Sequence, residues 1–275
     1  MVDKQQSNQL ASLLHRHVKL FIRFRSIDMM KVLEYRSSFI FWVLINILWS
    51  LFNIIFFSIL VDVSGSIGGW NRQEVFVLLG VFTIIDAFTW SIFYTNLSEY
   101  ASDIFDGRLS LLLCRPVNTQ FYIMSRKLNP QIMFRLLIGI IIVIMSLSQL
   151  NIWPAFFTWM LFLTFLSISF ICLYSFWFML TTCAFFFERL ENLNEIIPAV
   201  RRLWQVPRSV YQGAICVSLT NIIPFLLITS VPSEILLHRF SYSVLLYYAV
   251  FTFILFLLSK RFFTFAVRHY SGMAN

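Results

Sequence analysis

Residues 136–187 read LLIGIIIVIMSLSQLNIWPAFFTWMLFLTFLSISFICLYSFWFMLTTCAFFF and contain no charged side chain. A helix that crosses a bilayer needs roughly 20 apolar residues, so this run is long enough for two crossings. The stretch Gln149-Leu-Asn-Ile-Trp-Pro154 near its middle carries turn-forming residues and predicts the link between them. The run therefore indicates two consecutive membrane helices that form a hairpin.

The composition of the whole chain agrees with a helical membrane protein. The 275 residues are 59% hydrophobic and 18% aromatic, and only 12% are charged. Such a composition lies well outside that of ordinary soluble domains. The apolar segments are continuous rather than alternating, which argues against a β-barrel of the outer-membrane type. The fold class predicted is an all-α integral membrane protein.

Charge-poor stretches elsewhere in the chain predict four further spans, each about the length of one crossing. The fourth span in chain order exceeds one bilayer thickness, so we expect it to tilt or to continue beyond the membrane. One transmembrane domain of six helices is therefore predicted over residues 38–275. The predicted spans are about 39–60, 75–98, 131–150, 153–187, 210–231 and 243–258.

The distribution of lysine and arginine predicts the orientation of these spans. With the N-terminus on the cytoplasmic side, 19 of the 21 basic residues fall in inner segments, Arg135, Arg201 and Arg208 among them. Only Arg72 and Arg239 fall outside, which is a strong positive-inside pattern. The net charge of +8 then reflects topology and attraction to anionic lipid headgroups, and a nucleic-acid partner is not expected.

Residues 1–37 precede the first span and show an apolar stripe at helical spacing. Basic residues occupy the positions between, which is typical of an amphipathic helix that lies along the inner membrane face. The alternative is a solvated leader without a membrane contact. The stripe consists of Leu10, Leu13, Leu14, Val18, Phe21 and Ile22.

Proline residues interrupt the fifth predicted span and the segment after it. Ile223-Pro224 breaks the span in its outer half, and Pro232, followed by Ser233 and Glu234, suits the start of a short helix. We therefore expect short re-entrant helices between spans five and six. Irregular backbone at membrane depth has to be shielded by protein or face a water-filled cavity.

The sequence lacks the patterns of the common catalytic and metal sites. No glycine is followed by lysine, so there is no Walker A phosphate loop, and neither H-E-x-x-H nor G-x-S-x-G occurs. The four histidines are scattered and the four cysteines show no metal spacing. We expect no catalytic residue, no cofactor and no metal ion in this chain.

Asp86 is the one acidic residue inside a predicted span. A charge there is costly, so the side chain should face protein or water. One interpretation is a residue of the substrate pathway or of helix pairing. The other is a protonated or hydrogen-bonded carboxyl between helices, near Thr83 or Thr89.

The segment between spans two and three carries a short amphipathic pattern. Leu97, Tyr100, Ala101, Ile104 and Phe105 fall on one helical face, and polar residues fall on the other. Gly107 is a good C-terminal cap, and the leucine run that follows is too short to span before Arg115-Pro116 halts it. The pattern predicts either a partner-binding surface or a simple interfacial elbow.

Motifs in this loop and beyond it carry a family resemblance from about residue 69 to the C-terminal end. The most specific is a glycine, a short leucine-rich run and an arginine-proline pair at residues 107–116. With it the chain resembles permease subunits of the ABC-2 type transporters, in the small six-span branch first described as a domain of unknown function. Ser110 stands where that family often has an aspartate, so no role of that carboxylate is carried over. The other matching motifs are Gly69-Trp70 with Glu74, Gly80-Val-Phe82, Ile223-Pro224, Pro232-Ser-Glu234 with Leu236-Leu237, and Tyr270-Ser-Gly272.

The resemblance implies roles for particular residues. The loop between spans two and three would couple to an ATPase, the N-terminal helix would support that interface, and re-entrant helices would form an outer gate at Pro224, Pro232 and Glu234. The implied coupling residues are Tyr100, Ile104, Phe105, Gly107, Arg108, Leu109, Arg115 and Pro116.

The resemblance also implies partners and a location. It implies two copies of an ABC ATPase subunit that carries ATP and Mg²⁺, a second permease that is identical or homologous, and a bacterial inner membrane with both termini in the cytoplasm. The substrate would cross at the permease interface, lined by spans two and five. Two alternatives are a stand-alone secondary carrier or channel and a purely structural membrane scaffold.

Overall fold

The computed structural model describes residues 2–115, 117–186, 195–222 and 224–269. Eleven α-helical elements are described in these ranges, several of them continued by 3₁₀ or π turns. We number them in chain order: α1 (Val2–Glu34), α2 (Arg36–Ser64), α3 (Arg72–Phe105), α4 (Leu109–Leu113), α5 (Thr119–Ser125), α6 (Pro130–Gln149), α7 (Phe156–Phe185), α8 (Ile196–Val200), α9 (Gly213–Val217), α10 (Leu227–Leu236) and α11 (Tyr242–Arg268).

Five of these helices are long and apolar enough to cross a membrane, namely α2, α3, α6, α7 and α11. The sequence predicted six spans, and the difference lies in the fifth, at 210–231. There the described chain forms α9, a π turn at Ser218–Ile222 and the short apolar helix α10. Gly213 has a φ of 60° and Pro224 lacks an N–H, so neither suits the interior of a long helix.

The first four long helices alternate in direction and α11 runs parallel to α7, which gives the bundle two ends. We call the near end the one where α2 and α6 begin and α3, α7 and α11 finish. The far end is the one that holds the loop between α2 and α3, at residues 65–71. Contacts support this division, since Tyr100 of α3 packs on Phe263 of α11 at the near end and Arg239 pairs with Glu74 at the far end.

Helix α3 lies at the centre of the bundle and packs closely on α6. Gly80 and Gly139 face each other at this contact, and a Cβ at Gly80 would lie 2.7 Å from the Cγ2 of Val143. A Cβ at Gly139 would meet α3 equally closely, 2.9 Å from the carbonyl oxygen of Gly80. Small residues allow two membrane helices to approach in this way. The contact brings Asp86 of α3 beside Arg135 of α6.

Residues 195–210 cross most of the bundle in short turns rather than in one helix. Glu195 accepts a hydrogen bond from Tyr94 near one end of the segment, and Ser209 donates one to the carbonyl of Gly68 at the other. Between these points the chain forms α8 and 3₁₀ turns at Arg201–Gln205 and Arg208–Val210. The segment therefore runs alongside α3 from the near end to the far end.

This path corrects the assignment of basic residues to the inner surface. Arg201 lies on Asp86 within the bundle, Arg135 lies beside it, and Arg208 pairs with Glu234 towards the far end. A charge is normally read as a loop residue because an unpaired charge inside a membrane is costly. Each of these three is paired with a buried carboxylate, which makes its position within the bundle tolerable.

The sequence predicted Pro232 at the start of a short helix. This prediction is wrong, because Pro232 lies inside α10. It cannot donate the hydrogen bond that the Ile228 carbonyl would otherwise accept. The Ser169 hydroxyl of α7 donates to that carbonyl instead, at 2.8 Å. Tyr248 of α11 in turn donates to Ser169 at 3.1 Å. Helix α10 is thus held between α7 and α11, and all ten of its residues are buried.

Candidate functional site

Asp86 is a fully buried carboxylate at the centre of the bundle. Its Oδ1 accepts hydrogen bonds from Arg201 Nη1 at 2.6 Å and from Trp90 Nε1 at 3.1 Å. Its Oδ2 pairs with Arg135 Nη2. We call Asp86, Arg135 and Arg201 the central triad. It joins α3, α6 and the segment at 195–210.

The hydroxyls of the two threonines that the sequence suggested as partners of Asp86 donate elsewhere. Thr83 donates to the Leu79 carbonyl and Thr89 to the Ile85 carbonyl, each at 2.7 Å along its own helix. Arg135 could have been found from the sequence, because it lies inside the predicted span at 131–150, about one helical turn after Pro130. Arg201 carried no such signal, because its partner is 115 residues away.

A π turn at Thr89–Tyr94 follows Asp86 directly within α3. Such turns widen a helix and often occur at functional sites. Here the turn places Trp90 so that its indole N–H reaches back to Asp86 while its ring lies 5.1 Å from the Arg201 guanidinium. At the same turn the Ser91 carbonyl accepts from the amide of Asn129, and the Ser91 hydroxyl donates to the Asn129 carbonyl.

The charges of the central triad do not balance. Two guanidinium groups share one carboxylate, so the triad carries one excess positive charge. Arg135 is almost fully buried, and its Nε has no hydrogen-bond partner among the described residues. Unpaired donors at buried sites are costly, and a charged donor more so. The arrangement therefore favours an anion beside the triad.

The apolar face at the near end of α3 packs against the bundle. Tyr100 and Ile104 are buried, and the Tyr100 ring stacks on Phe178 with centroids 5.3 Å apart. Phe105 is partly buried against the same core, and Leu109 is fully buried. These four predicted coupling residues are therefore not a free docking face. Tertiary packing uses the stripe that the sequence assigned to a partner.

Among the described residues, the exposed side of this loop includes two of the predicted coupling residues, Arg108 and Arg115. Leu111 is 68% exposed, although Leu109 and Leu112 beside it are buried. Arg108 and Arg115 are exposed, and Arg115 lies over the Tyr122 ring at 4.6 Å. Pro116 lies outside the described residues. We call the following set the near-end strip: Ser102, Asp106, Arg108, Ser110, Leu111, Cys114 and Arg115.

Ion pairs brace the near-end strip from below. Arg126 binds Asp103 at 2.6 Å and Glu99 at 3.3 Å, which ties the loop after α5 to α3. Arg108 pairs with Asp106 at 2.5 Å. Gly107 ends α3 with a φ of 70°, a conformation that glycine adopts without strain. The strip therefore sits on a base that is fixed to the core of the bundle.

Helix α1 packs onto this same base. The Asp28 carboxylate accepts from the amide of Leu128 at 3.1 Å, and Arg25 donates to the Ser125 carbonyl at 2.7 Å. Burial raises the pKa of Asp28, and the neighbouring Arg25 partly opposes that shift. Phe24 packs edge-on against Tyr122. Helix α1 is thus attached to the bundle at its C-terminal part.

The three residues predicted for an outer gate lie in or beside α10. Glu234 is held by Arg208 through two hydrogen bonds of 2.7 and 3.0 Å, and Pro224 and Pro232 are buried. A second buried carboxylate, Glu74, accepts from the amide of Asn71 at 2.8 Å and pairs with Arg239 at 2.6 Å. Two carboxylate–arginine pairs therefore hold the far end together.

The residues that the structure describes contain no cluster of three or more His, Cys, Asp or Glu side chains that could hold a metal ion.

The model of the ABC-2 family transporter proteins matches residues 47–274. The chain belongs to this family. It is therefore a multi-pass membrane permease of an ABC transporter, and the five long apolar helices agree with that. The searches of curated proteins and of solved structures returned no match.

Proposed function

We propose that this ABC-2 permease is the transmembrane subunit of an exporter and that a separate subunit hydrolyses the ATP. Family membership supports the transport role, and membrane proteins of this family normally carry no ATPase site of their own. In the proposed complex, two ATPase subunits bind ATP and Mg²⁺, a second identical or homologous permease completes the pathway, and the assembly lies in a bacterial inner membrane with the near end in the cytoplasm.

The observation that carries this proposal is the near-end strip. It combines an exposed leucine, Leu111, with the exposed charges of Asp106, Arg108 and Arg115 on a braced base. An apolar residue surrounded by polar ones is the usual anatomy of a protein-binding patch. Composition alone left open whether the leucines contact lipid or a partner. Leu109 and Leu112 contact the bundle, which leaves Leu111 for the partner.

Helix α3 offers a direct mechanical link from this strip to the interior. It runs without a break from Arg72 to Phe105 and is fixed to the strip by Gly107 and to the central triad by Asp86. We infer that a movement of the partner against the strip displaces α3 lengthwise. The paired carboxylates along α3 would then transmit the displacement to α6 and to the segment at 195–210.

The test combines Leu111→Ser with Arg115→Glu in the co-expressed permease and ATPase. Both side chains are exposed, so insertion and thermal stability should stay unchanged, while the amount of co-purified ATPase should fall about tenfold or more, as for a central interface contact. Ile196→Ser, an exposed apolar residue elsewhere at the near end, is the control. Equal co-purification in wild type and double variant would refute docking at the strip.

Alanine substitution of Ile104 and Phe105, two of the implied coupling residues, would report mainly on packing. Ile104 is buried and Phe105 packs on the core. Loss of coupling in that variant would not separate a lost contact from a distorted helix. The exposed pair Leu111 and Arg115 avoids this ambiguity.

A stand-alone secondary carrier is the second candidate, and one observation favours it. Such carriers use several buried ionisable groups, and the central triad supplies three where the sequence indicated only Asp86. Family membership favours the ABC function. Transport in sealed vesicles separates the two, because a carrier responds to a proton gradient without ATP, and the proposed exporter requires ATP.

A further inference from the structure

Two cavities lie between α2 and the central helices, and they adjoin. The first has a volume of about 350 Å³ and lies towards the near end, where Asp28, Lys31 and Lys127 line it. The second, also of about 350 Å³, reaches the central triad. Trp42 and Gln131 line both. Together they form one groove, which we call the α2 groove, leading from the near end to Arg135 and Arg201.

The inner part of the α2 groove combines positive charge with aromatic walls. Arg135 and Arg201 line it, and none of the described residues that line it is acidic. Their shared partner Asp86 neutralises only one of the two charges, and the buried Arg135 Nε has no partner among the described residues. Arginine presents several donors in a fixed plane that matches carboxylate and phosphate groups. This end of the groove is therefore suited to an anion.

The opposite wall is mainly apolar, with Asn46 as its polar member. Trp42 and Trp49 of α2 face Trp90 of α3 across the inner cavity. Only 11% of the most apolar part of α2 is buried, so the groove lies beside a helix whose outer surface is apolar and exposed. Each cavity falls in the size range of small-molecule sites. A soluble anion would gain nothing from these walls, whereas an acyl chain or other apolar tail would.

We propose that the α2 groove binds an amphiphile with an anionic head group, its head on Arg135 and Arg201 and its apolar part along Trp42 and Trp49. Lys31 at the entrance attracts anionic groups from the near-end leaflet. The groove then delivers the ligand laterally to the centre of the bundle. The claim that such an amphiphile is the transported substrate rests on the proposed export function. The claim that the groove binds it does not.

Binding is measured on the purified full-length chain in neutral detergent by native mass spectrometry, without ATP or a partner. The probes are dimyristoyl phosphatidic acid and dimyristoyl phosphatidylcholine, which share their acyl chains and differ in head-group charge. We expect the wild-type chain to bind the phosphatidic acid about tenfold more tightly, the effect of roughly one charge-assisted hydrogen bond. Equal binding of the two lipids overturns the proposal.

Variants locate the site. Arg201→Gln should remove the preference for phosphatidic acid, and Arg202→Gln, an exposed neighbour, should keep it. Since Arg201→Gln also disturbs the central triad, Trp49→Leu is the second variant: it leaves the ion pairs intact and should weaken both lipids about threefold or more, in the range of one lost aromatic contact. Trp153→Leu, an exposed tryptophan in the turn between α6 and α7, is its control. Unchanged binding in Arg201→Gln and Trp49→Leu overturns the assignment.

Two further measurements are needed. The first distinguishes a lipid head group from free phosphate as the bound anion, and the second distinguishes the binding site from its role in transport. Millimolar inorganic phosphate should not displace phosphatidic acid, and displacement would mean a free-anion site, which overturns the amphiphile assignment. The ATPase rate of the co-expressed complex is then measured with each lipid. Binding in the purified chain together with stimulation by the phosphatidic acid supports the site as a substrate site. Failure of stimulation alone, with binding intact, counts against the groove as the substrate site and not against it as a binding site.

Discussion

Helices α2 and α3 are almost equally apolar, yet their surroundings are opposite. In the most apolar part of α3, 78% of the residues are buried, whereas the corresponding share for α2 is 11%. Helix α3 also carries Asp86 and the π turn, and α2 has its charged residues only at its ends. Hydropathy reports whether a segment can enter a membrane. It does not report whether the segment then meets lipid or protein, and in this chain the helix surrounded by protein is the one that bears the polar groups.

The difference predicts that a carboxylate on α3 matters far more than one on α2. Asp86→Ala should destabilise the chain by about 3–5 kcal/mol, because it leaves two guanidinium groups near the bundle centre without their partner. The matched control is Asp62→Ala at the end of α2, where the pair with Arg72 is exposed and little change is expected. The stability of both variants is measured by thermal unfolding in detergent, with size-exclusion chromatography to monitor the loss of folded protein.

Similar losses in the two variants would mean that burial does not distinguish these helices. Combining Asp86→Ala with Arg201→Gln sharpens the test. The double variant should be less destabilised than the sum of the singles, because residues within one ion-pair network are not additive. Strict additivity would indicate that Arg201 does not depend on Asp86.

The second contrast concerns space rather than charge. Gly80→Val places a side chain against Val143 and the backbone of α6, and we expect a loss of about 1–3 kcal/mol from overpacking. Leu48→Phe enlarges an exposed side chain on α2 and should be nearly neutral. The same unfolding assay applies to both. A neutral Gly80→Val would contradict the close contact between α3 and α6.

These outcomes depend on features that the sequence predicted unevenly. The helical hairpin at 136–187, the end of α3 at Gly107 and the break at Pro224 follow from local chemistry: a run without charge, a residue that tolerates positive φ and a residue without an N–H. All three can be read within a window of a few residues. The all-helical membrane class rests on the same local signals.

The parts that the sequence did not predict depend on distant partners. Arg201 was read as a loop residue because nothing near it in the chain shows that Asp86 will pair with it. Tyr100 and Ile104 form an amphipathic stripe, and a stripe does not say whether a foreign protein or the chain's own α7 and α11 will cover it. Pro232 was placed at a helix start because Ser169, which makes its position inside α10 tolerable, is 63 residues away.

That serine provides the third test, on a polar contact inside the bundle. Ser169→Ala leaves the Ile228 carbonyl beside Pro232 without its hydrogen bond, and a buried unsatisfied carbonyl costs about 1–3 kcal/mol. Ser167→Ala, on the exposed side of the same helix, removes only a bond to the Leu163 carbonyl of its own turn and should change stability little. A difference between the two variants below the error of the unfolding assay would show that α10 is not held through Ser169.

The smallest effect is expected on the outer face of α2, where the comparison with α3 can be tested most directly. Phe52 and Phe56 stack along this face with ring centroids 6.4 Å apart. Lipid tails are as apolar as leucine, so a face that meets lipid gains no hydrophobic stability from its aromatic rings. Phe52→Leu should therefore change the free energy of unfolding by less than about 0.5 kcal/mol, the range of ordinary surface substitutions, and leave the oligomeric mass in detergent unaltered.

Phe178→Leu, which removes a fully buried ring that stacks on Tyr100, is the matched change inside the bundle and should cost clearly more. If Phe52→Leu instead destabilises the protein or shifts its mass, α2 is covered by protein in the assembled transporter, and its exposure belongs to the single chain and not to the complex.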